Sequence, residues 1–385
     1  MSTSTYDVIV VGLGAMGSAA AYQLARRGQR VLGLDAFAPG HTQGSSHGES
    51  RIIRLAYFEH PNYVPLLRRA YQLWESTQAE SGHQLLQLTG GLFVGQHDSA
   101  LVQGCLLSAR THGLNHELLQ ADEVHRRFPA FEPREDDVAV YEPMAGVLFP
   151  ERCIEAHLEL AAAELHHAEP VRSWTASSSG VEVRTSAERY TADRLVLTAG
   201  AWSGKLLADL GLPLQPERIP VIWFQPREPP GLFEPDRLPI YIWDTGEAGT
   251  FYGCPHLDWP GAKVGRHHQG QNCDPDTVDR EPTEADERPI RAFVEGHIPT
   301  LAGPTALRLI CLYTNTPDEH FVVDRHPTLP QVVFAAGFSG HGFKFASVIG
   351  EILTDLATTG QATPDADFLR AARFSVPKTA GAASH

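Results

Sequence analysis

The chain has 385 residues, 42% of them hydrophobic and 20% charged, with a formal net charge of −15. That length exceeds one ordinary core and predicts two domains. The acidic balance argues against a nucleic-acid or anionic-membrane partner while leaving room for a local basic pocket. The cysteines, Cys105, Cys153, Cys254, Cys273 and Cys311, are odd in number and form no C-x-x-C pair. That usage predicts a reduced, cytoplasmic protein rather than a disulfide framework.

In chain order, residues 8 to 25 carry no charge, which raises the question of a leader or membrane span. The stretch lacks a basic n-region and contains Gly12, Gly14, Gly17, Ser18 and Gln23, so it reads as a buried strand followed by a helix. Asp7 to Val11 is short, apolar and β-branched, as a buried parallel strand is. Gly12, Gly14 and Gly17 follow in G-x-G-x-x-G spacing, then an alanine-rich helix to Gly28 and a strand, Val31 to Leu34, ending on Asp35. Such a unit binds a dinucleotide. The glycines serve a tight turn, close approach to pyrophosphate and helix-to-strand packing. The helix N-terminus faces the phosphates, and the acid accepts from ribose hydroxyls. The motif leaves FAD and NAD both open.

Further along, residues 58 to 80 read as helix and 90 to 96 as strand. Residues 146 to 165 read as a turn, a proline at a helix start and a helix. After a hairpin-like pair, the run Arg194 to Thr198 enters Gly200-Ala201-Trp202, a second strand-to-glycine turn that predicts a return to the nucleotide domain. Residues 219 to 310 are richer in Pro, Trp, Tyr and His, with strand-like pieces "FQPREPPGLF" and "TFYGCP", and predict a mostly antiparallel second domain. The tail beyond Val376 is small and polar, as a frayed end is.

Arg51 and Arg54 are three apart, a spacing that on a helix puts both guanidiniums on one side. They read either as an exposed basic pair or as a clamp for phosphate or carboxylate. Cys311, taken alone, reads as a small buried hydrophobe. Residues 261 to 276 hold Lys263, His267, His268 and Cys273 in no zinc spacing, so no metal is expected. "GFSGHG" has His341 where a nucleophile elbow needs glycine, and "AGAWSGKLL" has Leu206 where a P-loop needs Ser or Thr.

Taken in order, "GSSHGESRIIR", "GAWSGKLL", "KVGRHH", "CLYTNTPDEHF" and "GFSGHGFKFASVIGE" resemble the monomeric sarcosine oxidase and N-methyl-tryptophan oxidase family of flavoenzymes, of the D-amino acid oxidase superfamily, over nearly the whole chain. The resemblance implies a two-domain α/β flavoenzyme. A Rossmann-like FAD-binding domain of the glutathione-reductase type (1–87, 148–218, 322–385) is interleaved with an antiparallel-sheet catalytic domain (88–147, 219–321). The implied chemistry is oxidation of a secondary amino acid at the N-methyl carbon. Hydride equivalents pass to flavin, the imine hydrolyses to formaldehyde and a primary amine, and oxygen becomes hydrogen peroxide. The implied partners are thus a small amino acid and oxygen, and the implied form is a monomer.

By the same resemblance, Cys311 is the cysteine joined by a thioether to the flavin 8-methyl carbon. Arg51 lies against a flavin face, and Ser45, Gly340 and Gly342 join Gly12, Gly14, Gly17 and Asp35 at the cofactor. Gly337, Gly340 and Gly342 let the backbone approach the flavin, and the following helix carries Lys344 and points its positive end at the ring. Arg54 and Lys344 hold the substrate carboxylate, and Lys344 also touches the cofactor. Tyr252, His267 and Tyr313 shape the pocket around the amine, and Lys263 promotes the reaction with oxygen. Ser46, Glu49, Ser50 and Leu55 depart from the family's basic stretch, and the spacing slips by one residue near Ile242 and Trp243. Sarcosine, bulkier N-methyl amino acids and cyclic imino acids are all compatible. So is a dehydrogenase that passes electrons to a carrier other than oxygen. A flavin-free, inactive nucleotide binder is the remaining class, opposed by the joint presence of Cys311, Lys263, Arg54 and Lys344.

Overall fold

A computed structural model describes residues 6–227, 230–362 and 364–374. Strand β1 (Tyr6–Val11), helix α1 (Ala15–Arg26) and strand β2 (Val31–Leu34) form where the spacing predicts them. β1 is buried from Val8 onward and lies between two parallel neighbours, β2 and the strand Arg189–Leu197. The chain therefore returns to the first sheet shortly before its midpoint, beginning with Glu164–His166 beside β2. Val332–Ala336 extends that sheet in parallel beside Arg189–Leu197, and Val322–Arg325 closes it antiparallel. Helix α1 packs against the helix Ala346–Thr358 so closely that a Cβ on Gly350 would lie 2.6 Å from the Ala19 backbone.

The strand β3 (Arg51–Ile53) pairs with Gly146–Leu148, which also pairs with Leu86–Leu88. Arg51 and Arg54 therefore do not share a helix face. Side chains alternate along a strand, and both reach the site because the backbone leaves the strand at Arg54. Helix α2 (Tyr63–Ser81) begins five residues later than its apolar pattern predicts, after His60-Pro61-Asn62. A residue preceding proline is driven out of helical geometry. Pro150 opens the helix Pro150–Leu160 at its first turn, as expected.

The second sheet runs Gln271–Asn272, Gln215–Phe224, Ala262–His267, Thr250–His256, Ile240–Asp244, Gly91–Gln96, Asp137–Glu142, Glu117–Gln120, with Thr305–Asn315 paired to Gln215–Phe224. All its pairs are antiparallel except Ile240–Asp244 with Gly91–Gln96. Its outer face is covered by the helix Glu284–His297, which starts at a capping box formed by Thr283 and Asp286 and buries Ile290, Phe293 and Val294 against Tyr241, Trp243 and Phe251. The run 224–233 is not a strand beyond Phe224: Pro226 and Pro230 lack the N–H that a ladder needs, and 228 and 229 lie outside the described residues. The tail beyond Val376 also lies outside them. Among the described residues, no helix is long and apolar enough to cross a membrane.

Candidate active site

One cavity of about 1190 Å³ runs between the two sheets. Small-ligand sites typically measure about 300–1,000 Å³, so its size suits a dinucleotide with a substrate beside it. Every residue to which the resemblance assigns a cofactor, substrate or catalytic role lines this cavity except Gly17, whereas His268, Cys273, Glu49 and Leu55 do not line it. A Cβ on Gly17 would sit 1.7 Å from the Gly12 carbonyl oxygen, so that glycine lets helix α1 start directly against the turn. Gly12 has φ +88°, and a Cβ there would meet the Thr198 carbonyl at 2.5 Å. Gly14 has no side chain to cap α1, and the Ala15 amide donates instead to Ser46 Oγ (3.3 Å), so the helix start and Ser46 line the cavity together. At the tip of β2, Asp35 accepts from the Leu13 amide (2.7 Å) and the Phe37 amide (2.9 Å), tying the glycine turn to the strand. Its remaining lone pairs face the cavity.

The segment 41–54 folds around its own arginine. Arg51 donates to the carbonyls of Ser45 (2.7 Å), His47 (2.6 Å) and Ser50 (2.7 Å), and the Ser45 hydroxyl donates to the Leu312 carbonyl. These acceptors are neutral, so the guanidinium charge is left to act on the cavity. Cys311 lies 3.9 Å from Arg51 Nη2 and 3.7 Å from His47 Nε2. Burial pushes the thiol up, but His47, Arg51 and Lys263 outweigh it and hold it at about 6. It is therefore mostly thiolate at neutral pH, the form that makes a nucleophile. Lys263 donates to the carbonyls of Gly48 and Ser50, both at 2.8 Å, and its amine is pulled down to about 8 by burial and then by Arg51.

At the far end, buried Arg54 donates through Nη2 to both oxygens of Glu59 (2.7 Å each) and through Nη1 to the Ala56 carbonyl (3.0 Å). Its Nε is buried with no partner among the described residues. Lys344 sits on a 3₁₀ turn, Phe343–Phe345, ahead of the helix expected to carry it, and donates to the His341 carbonyl at 2.6 Å. Burial and then Arg54 pull its amine down to about 7, against the attraction of Glu59. Burial pushes Glu59 up, yet Arg54, His341 and Lys344 hold it below the ordinary carboxylate range.

Between these ends, His267 Nδ1 lies 3.3 Å from the Tyr313 hydroxyl, and Tyr252 lines the cavity with them. Burial keeps His267 well below its ordinary value, and it pushes Tyr252 up to about 12 and Tyr313 well above the phenol range. All three are neutral at neutral pH. Beside the end where Arg54 and Lys344 outnumber Glu59, the pocket thus has an uncharged polar middle. That asymmetry suits a carboxylate at one side and a neutral amine at the other.

The glycines of 337–342 serve the protein's own packing. A Cβ on Gly340 (φ +77°) would lie 2.3 Å from the Tyr313 ring, and one on Gly342 would lie 2.4 Å from Phe338. Both line the cavity only after making room for those rings. Sequence reasoning missed Glu59, whose role depends on the irregular path from Arg54, and His47, whose partner is distant in sequence.

Residues 7–356 match the family described as FAD dependent oxidoreductase. The chain is 50% identical over 362 residues to monomeric sarcosine oxidase of Streptomyces avermitilis, covering 92% of this chain and 94% of that one. It is 44% identical over 374 residues to monomeric sarcosine oxidase of Bacillus sp. (strain B-0618), covering 95% of each. Among solved structures it is similar to the open form of NikD, an unusual amino acid oxidase essential for nikkomycin biosynthesis. That match has TM-score 0.84 and 25% identity, over 96% of this chain and 98% of that one.

Proposed function

The chain belongs to the FAD dependent oxidoreductase family, and on that premise we propose that it is a sarcosine oxidase-like oxidase of secondary, N-methyl amino acids. It is an FAD-dependent amine oxidoreductase with the two-domain α/β fold of that family. The observation that carries the substrate reading is the divided pocket, with Arg54 and Lys344 at one end and neutral His267 and Tyr313 next to them.

The residues present fit FAD. The start of α1, with Ser46 beside it, and the glycine turn would take the pyrophosphate and Asp35 the ribose. Ser45, Arg51 and Cys311 would surround the ring, and His47 lines the same space. FAD, when bound, accepts the hydride equivalent from the carbon beside nitrogen and returns the electrons to oxygen.

The protein's part is orientation and charge. Arg54 and Lys344 hold the carboxylate, whose arrival keeps Lys344 protonated by giving the ammonium a second anion. His267, being neutral, accepts from the substrate N–H, and Tyr252 and Tyr313 close the pocket around the methyl group. Lys263 offers a fixed ammonium to the negative charge that develops on oxygen. The released imine hydrolyses to formaldehyde and the primary amino acid, with hydrogen peroxide as the second product.

Cys311 is assigned the thioether to the flavin 8-methyl carbon, supported by its lowered thiol and its place on the cavity wall. Cys311→Ser is expected to release its flavin into the supernatant on acid precipitation, where the parent protein gives a yellow pellet. A colourless parent pellet would remove the thioether. We also divide the chain at 1–87, 148–218 and 322–385 for FAD and at 88–147 and 219–321 for substrate. The two sheets support the division, with Gln215–Phe224 and Gly146–Leu148 lying across its edges. The reading is tested by aerobic turnover of sarcosine, which is expected to yield formaldehyde and peroxide in equal amounts. Peroxide without formaldehyde would move the oxidised bond off the N-methyl carbon.

A further inference from the structure

Residues 48 and 49 both lie in the left-handed region, with φ +97° at Gly48 and +66° at Glu49. Glycine adopts that conformation freely, whereas a side chain rarely does. Three sets of bonds grip the turn. On one side, Glu151 Oε1 accepts from the amides of Gly48 (2.6 Å) and Glu49 (3.2 Å), a carboxylate seated in a small backbone nest. On another, Glu49 Oε2 accepts from Trp223 Nε1 (2.9 Å) and Oε1 accepts from the Trp259 amide. On the third, the carbonyls flanking Glu49, those of Gly48 and Ser50, converge on Lys263 Nζ. Trp223 is also the cross-strand partner of Lys263, and its ring centroid lies 5.3 Å from that amine.

We propose that Glu49 is a positioning residue for Lys263. Its carboxylate, clamped between Trp223 and Trp259, holds a strained turn whose two carbonyls fix the ammonium against the cavity. The functional meaning of this arrangement rests on the assignment of Lys263 to the oxygen step, whereas the arrangement itself rests on the bonds above. The charged and titratable groups that face Lys263 are Arg51, Glu151, Cys254, Cys311 and Glu49.

The composition makes the test direct. The chain has only four lysines, Lys205, Lys263, Lys344 and Lys378, so holoenzyme labelled with 13Cε-lysine gives few resonances. That of Lys263 is identified by its loss in Lys263→Met, and in the parent it is expected to titrate near pH 8. Glu49→Gln keeps the size but turns an acceptor into a donor facing Trp223. The Lys263 midpoint is then expected to fall by about one pH unit, because the ammonium loses acceptors and a nearby negative charge. Glu49→Gly supplies the residue that the backbone prefers without the clamp, and the same fall is expected. Glu49→Asp keeps the charge but cannot span both tryptophans, so a smaller fall separates clamp from charge. Should the Glu49 variants fold poorly, Trp223→Phe removes the far donor alone and is expected to move the midpoint in the same direction. A midpoint unmoved in Glu49→Gly, or in Trp223→Phe, overturns the proposal. In the same variants, oxygen reoxidation is expected to slow about tenfold, as for a misplaced electrostatic donor. A shifted midpoint with an unchanged oxygen rate would leave Glu49 positioning Lys263 and remove Lys263 from the oxygen step.

Discussion

Lys263→Met is expected to slow reoxidation of the reduced flavin by oxygen about 10²–10³-fold, the usual loss for one preorganised electrostatic donor. Anaerobic reduction by substrate should change little. The asymmetry follows from where the amine is held. Lys263 donates to the carbonyls of Gly48 and Ser50, beside Arg51 and Cys311 and away from Arg54 and Glu59. The pH dependence carries the same signature. Burial and Arg51 bring this amine to about 8, so its charge is present below that pH and lost above it. The oxygen rate of the parent enzyme should therefore fall as pH rises through about 8, and that step should vanish in Lys263→Met. Rapid mixing of reduced enzyme with oxygenated buffer measures both effects. Equal slowing of the two half-reactions would contradict the assignment.

Arg54→Ala should damage binding and stability together, for separable reasons. The guanidinium is buried and bidentate to Glu59, so its removal strands a carboxylate. Breaking such a pair costs about 3–5 kcal/mol, because an uncompensated charge stays buried. The double variant Arg54→Ala/Glu59→Gln removes both charges and should recover most of that stability in denaturant unfolding. It should not recover affinity for a simple carboxylate such as methoxyacetate, because the Arg54 guanidinium is gone and only Lys344 is left at that end. Recovery of affinity in the double variant would show that Glu59, rather than lost carboxylate pairing, limits binding.

Local spacing was enough to read the nucleotide-binding half. β1, the glycine turn, α1, β2 and Asp35 are consecutive, and each residue type answers a constraint set by its immediate neighbours. Pro150 at a helix start is legible for the same reason. The site's electrostatics are not local. Cys311 reads alone as a buried hydrophobe, and it becomes a thiolate only when His47, Arg51 and Lys263 arrive from two other segments. Arg51 and Arg54 suggested a helix face because nothing nearby reveals that Arg51–Ile53 pairs with Gly146–Leu148. Glu59 is invisible as a site residue for a similar reason. Its partner is five positions away, but the geometry belongs to an irregular segment that no periodicity describes. The roles of Lys263 and Lys344 were reached through resemblance, and the structure adds the physical cause, two amines pulled down to about 8 and about 7 in one buried cavity.

The measurement that bears most directly on the central claim is anaerobic mixing of the purified holoenzyme with sarcosine and with larger N-methyl amino acids, followed by flavin absorbance. The account predicts rapid bleaching with an N-methyl amino acid, and none with the same amine lacking its carboxylate, because Arg54 and Lys344 would have nothing to hold. Bleaching by amines irrespective of a carboxylate, or by no N-methyl amino acid at all, would contradict it.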